Sequence, residues 1–170
     1  MKIGNIWTDQ YGDRPDNVNV DTLVVHTMYH PEDNDCFCAV KCKSWLDQCG
    51  VSAHYIIDRK GTVVQTVALD KMAWHAGESQ MPYTDDQRTR VNDFSIGVEL
   101  LASEDDPATE EQYKSLVELT SLLMDDYDIA SIVGHQHIAP ARKSDPWNFD
   151  WAKLKSLLEA EVPGDLRIGV

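Results

Sequence analysis

Positive charge is scarce in this sequence: 15 lysines and arginines stand against 29 aspartates and glutamates in 170 residues, a formal charge of −14 at pH 7. There is no basic stripe of the kind that tracks a nucleic-acid backbone, and no Lys/Arg cluster beside an apolar face, so neither nucleic acid nor a membrane surface is expected as a partner. Long hydrophobic runs are missing too. Leu122 to Met124, or Ile96 to Leu100 with Glu99 inside it, fall far short of the ~18 apolar residues that span a bilayer. No apolar segment of signal-peptide length follows Lys2, which predicts a cytoplasmic location. Repeats, low-complexity tracts and linkers are also lacking, and residues 1–170 read as one domain and a monomer. A chain this long buries roughly 70% of its unfolded surface, so it needs no metal or cross-link merely to fold.

What is present is an alternation of strand and helix patterns. Thr22 to Thr27 is a β-branched apolar run without helical period and reads as a buried strand ending at His26 and Thr27. Val51 to Asp58, a turn at Arg59-Lys60-Gly61, and Thr62 to Ala68 read as a hairpin. Phe94 to Leu101 is a second buried strand with one carboxylate out of place, Glu99. Thr109 and Gln112 form a capping box, and Tyr113, Leu116, Val117 and Leu123 follow at helical spacing, predicting a helix from Thr109 to about Asp126. Ala130 to Gly134 reads as a short strand, Ala39 to Cys49 as a helix, and Asp150 opens a last helix that Pro163-Gly164 ends. The fold class is α/β, with a central mixed sheet flanked by helices.

Six histidines, at 26, 30, 54, 75, 135 and 137, are where a metal would be sought. The helical zinc signature HExxH is absent, and Pro31 argues against His26 and His30 sharing a helical face. His135 and His137 would face the same way if extended. Singly, each histidine has an ordinary reading as a hydrogen-bonded core or surface residue. All four cysteines fall between Cys36 and Cys49. Cys38, Cys42 and Cys49 lie roughly on one face of the proposed helix and fit buried, reduced thiols, while four thiolates holding a structural zinc is a second reading, at a spacing unlike the common zinc modules.

Five segments, in order, carry a resemblance: Leu23-Val24-Val25-His26, Val51-Ser52-Ala53-His54, Asp70 to Gly77 (DKMAWHAG), Asn92 to Leu100 (NDFSIGVEL), and His135 to Pro146. Together they resemble the zinc-dependent N-acetylmuramoyl-L-alanine amidases of the type-2 class, which include muropeptide-recycling amidases, phage lysozyme-type amidases and peptidoglycan recognition proteins. The resemblance implies a peptidoglycan-recognition-protein-like amidase fold, with zinc held by His26, His135 and Asp145. Two imidazoles and one carboxylate leave a fourth position open, as a catalytic zinc requires. Asp145 stands where wall-lytic relatives often have Cys, which favours the recycling branch.

By the same resemblance Glu99 is the general base that takes a proton from the attacking water and later passes it to the leaving amine, and Lys143 donates to the developing oxyanion. Some phage relatives have Tyr where this chain has Ala53, which leaves catalysis here to Glu99. Trp74, His75, Arg90, Asn92 and Arg142 match positions near the substrate, Trp74 against a sugar face and the two arginines near the carboxylates of the stem peptide. The chain departs from the recycling enzymes at Gly50, where they carry a basic residue, and at Leu101, where they carry a second Glu. For the cysteines the resemblance adds a third reading, a Cys36–Cys42 disulfide with Cys38 free to pair with Cys49.

The activity implied is hydrolysis of the amide between N-acetylmuramic acid and L-alanine in peptidoglycan or anhydromuropeptides. The alternatives are a phage-type endolysin acting on intact wall, released by a holin or other non-Sec route, and a peptidoglycan-binding module without activity. Lys71, Arg90, Arg142 and Lys143 lie in the site segments, whereas Ser103 to Glu111 and Asp125 to Asp128 carry dense acid outside them. That distribution predicts a locally positive groove on a negative body.

Overall fold

Seven strands make one sheet in a computed structural model that describes residues 1–162 and 164–170. In chain order they are β1 (Ile3–Asn5), β3 (Thr22–Met28), β4 (Tyr55–Ile57), β5 (Val63–Gln65), β7 (Ser95–Leu101), β8 (Ser131–Gly134) and β9 (Arg167–Ile168), alongside a separate antiparallel pair, β2 (Tyr11–Asp13) with β6 (Lys71–Ala73). The spatial order is β1-β5-β4-β7-β3-β8-β9. Only β4 and β5 run antiparallel within the large sheet, as the expected hairpin; every other pairing in it is parallel. The helices are α1 (Ala39–Gln48), α2 (Glu110–Met124), the single turn α3 (His135–Ile138) and α4 (Trp151–Glu161), and one 3-10 turn spans Val91–Phe94.

The two central strands, β3 and β7, are buried along their whole length, as expected of parallel strands covered on both faces. Side chains alternate across the sheet. Leu23 and Val25 of β3, Ile96, Val98 and Leu100 of β7, and Ile132 of β8 enter the main core beneath α2 and α4. The opposite face receives Val24 and Val133 in one smaller cluster, and Met28, Ile56 and Leu101 in another beside Cys42 of α1. His26 and Glu99 follow the same period onto this second face.

Element ends follow local chemistry. Thr109 Oγ1 accepts from the Gln112 amide, and Gln112 Oε1 accepts from the Thr109 amide, so the capping box forms as read. Gln112 then turns its amide nitrogen inward, donating to the carbonyls of Ile57 (3.0 Å) and Leu101 (3.1 Å), and so ties α2 to β4 and β7. Asp150 caps α4 through the Lys153 amide. Of the stop expected for that helix, Pro163 lies outside the described residues.

Several local features differ from expectation, among them the second hairpin strand, which ends at Gln65 rather than Ala68. β3 continues past His26 to Met28, because Thr27 and Met28 still pair with Leu100 and Leu101. The first hairpin strand starts at Tyr55 rather than Val51, since the Ser52 amide bonds to Trp74 and the His54 amide to Gly97. His135 and His137 are not extended but lie in the α3 turn, where His137 Nδ1 accepts from the Gly134 amide instead of facing with His135. The short strands β1, β2, β6 and β9 carry too few residues to display a period.

His54 is fully enclosed between these layers. Its Nδ1 accepts from the Gly97 amide at 3.0 Å, and its Nε2 lies 3.1 Å from both the Lys71 carbonyl and Arg14 Nη2. Burial first, and then the Arg14 charge, push its pKa down to about 3.

Two outcomes follow. Gln112→Leu removes both bonds, and although the Leu101 carbonyl keeps Arg59 Nη1 at 3.3 Å, the loss should cost roughly 1–3 kcal/mol in urea unfolding at neutral pH. His54 takes a proton readily only when unfolded, so its contribution to stability is complete above pH ~6.5 and drains away as pH falls towards 3. The urea midpoint should drop over that window, and less steeply in His54→Gln; equal slopes would refute the assignment.

Candidate active site

The site lies at the carboxyl ends of the parallel strands, where α/β sheets usually bind ligands. His26 on β3 pairs in register with Glu99 on β7. His135 follows directly on β8. Asp145 comes from the loop after α3, and that loop is pinned at two points: the Gln136 amide donates to the Asp145 carbonyl (2.8 Å), and the Trp147 amide donates to Thr27 Oγ1 (2.9 Å).

Three side chains converge. His26 Nδ1 is 3.1 Å from His135 Nδ1 and 3.1 Å from Asp145 Oδ2, and His135 Nδ1 is 3.3 Å from Asp145 Oδ1. All three residues are buried, and their donor atoms lie within 4.8 Å of one another. Among the described residues this is the only such group able to hold a metal ion. Burial pushes the His26 pKa down to about 4, against the pull of Asp145. Burial raises Asp145, but the adjoining imidazoles of His135 and His26 outweigh it and hold the carboxyl well below the usual range. At neutral pH His26 therefore offers a lone pair and Asp145 a charge, the forms in which they bind metal.

Glu99 is 7% exposed, and its Oε2 has no hydrogen-bond partner among the described residues. Burial, and then the Asp145 charge, raise its pKa well above the ordinary carboxyl value, with Lys143 pulling the other way. An unpartnered carboxyl oxygen in such a place is costly unless something reaches it. Lys143 stands exposed at the edge of the same groove, a cavity of about 460 Å³. Trp45, Leu46, Cys49, Val51 and Trp74 line it, as do Tyr29, Pro31 and Trp147.

Trp74 is thus where the sequence placed it, in the groove lining. Of the other proposed substrate residues His75 also borders this groove, and all four make bonds within the protein. His75 is buried with both ring nitrogens bonded, Nδ1 to His26 Nε2 (3.0 Å) and Nε2 to Ser95 Oγ (3.1 Å), leaving neither for a substrate. Asn92 Oδ1 accepts from the His75 and Ala76 amides. Arg90 and Arg142 line a neighbouring cavity of about 620 Å³, Arg90 paired with Asp93 and Arg142 bonded to the carbonyls of Ala76 and Glu78. Lys71 pairs with Asp13. The expected positive groove is therefore reduced to Lys143, because the other cations are held by neighbouring acids or backbone oxygens.

The cysteines are free thiols, without the Cys36–Cys42 bridge. Cys42 is buried, its thiol donating to the Cys36 carbonyl at 3.2 Å and its pKa pushed up to about 12 by burial. Cys49 is exposed and Cys38 half-buried, so the expected buried face of Cys38, Cys42 and Cys49 does not form. Sequence reasoning missed Ser95, Trp147, Tyr29 and Arg14. The period of β7 could have found Ser95, which shares a face with Gly97 and Glu99; the others carry no local signal.

Residues 16–148 match the family described as N-acetylmuramoyl-L-alanine amidase. The Escherichia coli (strain K12) protein named 1,6-anhydro-N-acetylmuramyl-L-alanine amidase AmpD is 48% identical over 115 residues, 66% of this chain but only 61% of that protein. The Citrobacter freundii protein of the same name is 37% identical over 170 residues, covering 87% of this chain and 86% of that one. A solved structure described as a Se-Met AmpD derivative superposes with a TM-score of 0.77 at 36% identity, over 92% of this chain and 94% of that one. Sequence, fold and the buried His-His-Asp cluster with its facing carboxyl thus agree, and the chain belongs to the N-acetylmuramoyl-L-alanine amidase family.

Proposed function

We propose that this chain hydrolyses the amide bond between N-acetylmuramic acid and L-alanine in soluble peptidoglycan fragments, with zinc held by His26, His135 and Asp145. The observation that carries the reading is the buried carboxyl of Glu99, one oxygen unpartnered, set opposite His26 in the β3–β7 register. The donor chemistry fits the metal: two imidazoles and one carboxylate suit zinc with a position left open. When bound, zinc would polarise the scissile carbonyl and bring the pKa of water towards ~7.

The remaining work falls to the chain's own groups. Glu99 accepts the proton of the attacking water, and its raised pKa lets it keep that proton until the amine of L-alanine leaves. Lys143, at the groove edge, donates to the oxyanion as it develops. Trp74 supplies a flat apolar face for the sugar. A binding module without activity would have no use for the complete donor set together with Glu99.

The names of the relatives favour 1,6-anhydro fragments as the substrate class. A net charge of −14 also disfavours adhesion to an anionic wall. On this reading the chain works as a single-domain monomer in the cytoplasm. Among the described residues no helix is long and apolar enough to cross a membrane.

Glu99→Gln should keep its zinc yet lose about 10²–10⁴-fold in kcat on anhydromuropeptide. Wild-type turnover by that variant would remove Glu99 from the mechanism. Peptide release from intact sacculi should be far slower than turnover of soluble anhydromuropeptides, and the reverse preference would mark an endolysin.

A further inference from the structure

The outward-facing nitrogens of both histidines in the cluster are met by two consecutive residues. A neutral imidazole has one lone pair and one N–H, so whatever binds the outer nitrogen decides which atom faces inward. His135 turns Nε2 to the Ala76 carbonyl at 3.2 Å. A carbonyl only accepts, so the proton sits on Nε2 and the lone pair on Nδ1, inside the cluster.

For His26 the direction is set from the far end of a chain of bonds. The Val91 carbonyl accepts from Ser95 Oγ at 2.5 Å, which uses the only proton of that hydroxyl. Ser95 must then accept from His75 Nε2 at 3.1 Å, leaving His75 Nδ1 as an acceptor. His26 Nε2, 3.0 Å away, is therefore the donor, and its Nδ1 lone pair points at Asp145 and His135. The amides of the same two residues, His75 and Ala76, converge on the single oxygen Asn92 Oδ1, at 3.1 and 2.7 Å. The loop that carries Asn92 is held in turn by Arg14, which donates to the carbonyls of Asn92, Asp93 and Ser95. The His75 ring packs so closely on β7 that a Cβ at Gly97 would lie 2.5 Å from its Cγ.

We propose that the His75-Ala76 dipeptide, anchored by Asn92, is a two-point clamp that fixes the tautomer and orientation of both His26 and His135. His75 and Asn92 are then positioning residues for the metal centre and not substrate contacts. The proposal rests on the zinc reading above, and its test keeps the two apart. Removing such outer partners typically weakens metal binding 10–100-fold.

Zinc dissociation constants would be measured by chelator competition, and the visible spectrum of the cobalt-loaded protein recorded. His75→Phe and Asn92→Leu should each weaken zinc binding about 10–100-fold and alter the cobalt bands, while His75→Gln and Asn92→Asp, which keep an acceptor, should stay within about threefold of wild type. His26→Ala tests the zinc reading itself: zinc binding undiminished in that variant defeats the reading. Zinc lost in His26→Ala but unchanged in His75→Phe and Asn92→Leu defeats the clamp alone. A raised KM at wild-type zinc affinity would return these residues to substrate binding and also overturn the proposal. Should the variants fail to fold, nitrogen-15 imidazole spectra of the zinc-loaded wild-type protein decide: both rings should carry their proton on Nε2, and a proton on Nδ1 of either one refutes the clamp.

Discussion

Seven consecutive residues of β3 pair in parallel with seven of β7, and that register fixes where the chemistry lies. It sets His26 beside Glu99 at roughly the spacing of neighbouring strands, about 4.8 Å, and sends both to the face away from α2 and α4. A slip of one residue would turn Glu99 into the main core and Leu100 into the groove. Such a slip is opposed by the apolar side chains themselves: Leu23, Val25, Ile96, Val98 and Leu100 are all buried in one cluster and would have to leave it. Hydrophobic packing on one face thereby specifies polar geometry on the other.

The polar face carries an unusual load of buried donors and acceptors. His26, His54, His75, His135, Ser95, Glu99 and Asp145 are all buried. In a low dielectric each unmet group costs roughly 1–3 kcal/mol, and nearly all are met: His54 by Gly97 and Lys71, His75 by His26 and Ser95, His135 by Ala76. Among these described residues Glu99 Oε2 is the exception, and it is the group for which the proposed mechanism needs an open partner. The contrast between a satisfied scaffold and one unsatisfied oxygen supports the proposed reacting centre more sharply than burial alone.

Strand and helix patterns made most of the central architecture readable in advance. The apolar runs around residues 22–28 and 95–101 and the capping box at Thr109 are local signals, and each element formed within a few residues of its expected ends. Glu99 stood out because a carboxylate interrupts an apolar strand, and family motifs pointed to the trio that the structure brings together. The bonds made by His75, Asn92, Arg90 and Arg142 were not legible, because a motif gives position along the chain and not the direction of a side chain. Asn92 is fixed by which amides lie above it, and Arg142 by carbonyls some 65 residues away in sequence. Tyr29 and Trp147 meet only through tertiary packing, at 6.2 Å between ring centroids, and neither lies in a patterned segment.

The two ends of the sheet are occupied by short strands: β1 pairs over three residues, and β9 over two. An exposed strand edge is a template on which another chain can add. Here each template is too short to hold more than a pair or two of backbone bonds, and the long, wholly buried strands β3 and β7 are enclosed by neighbours on both sides. The segments most able to propagate a sheet between molecules are thus the ones least accessible to a second chain. Together with the mutual repulsion of bodies carrying −14 charge, this arrangement favours a molecule that stays dispersed when concentrated.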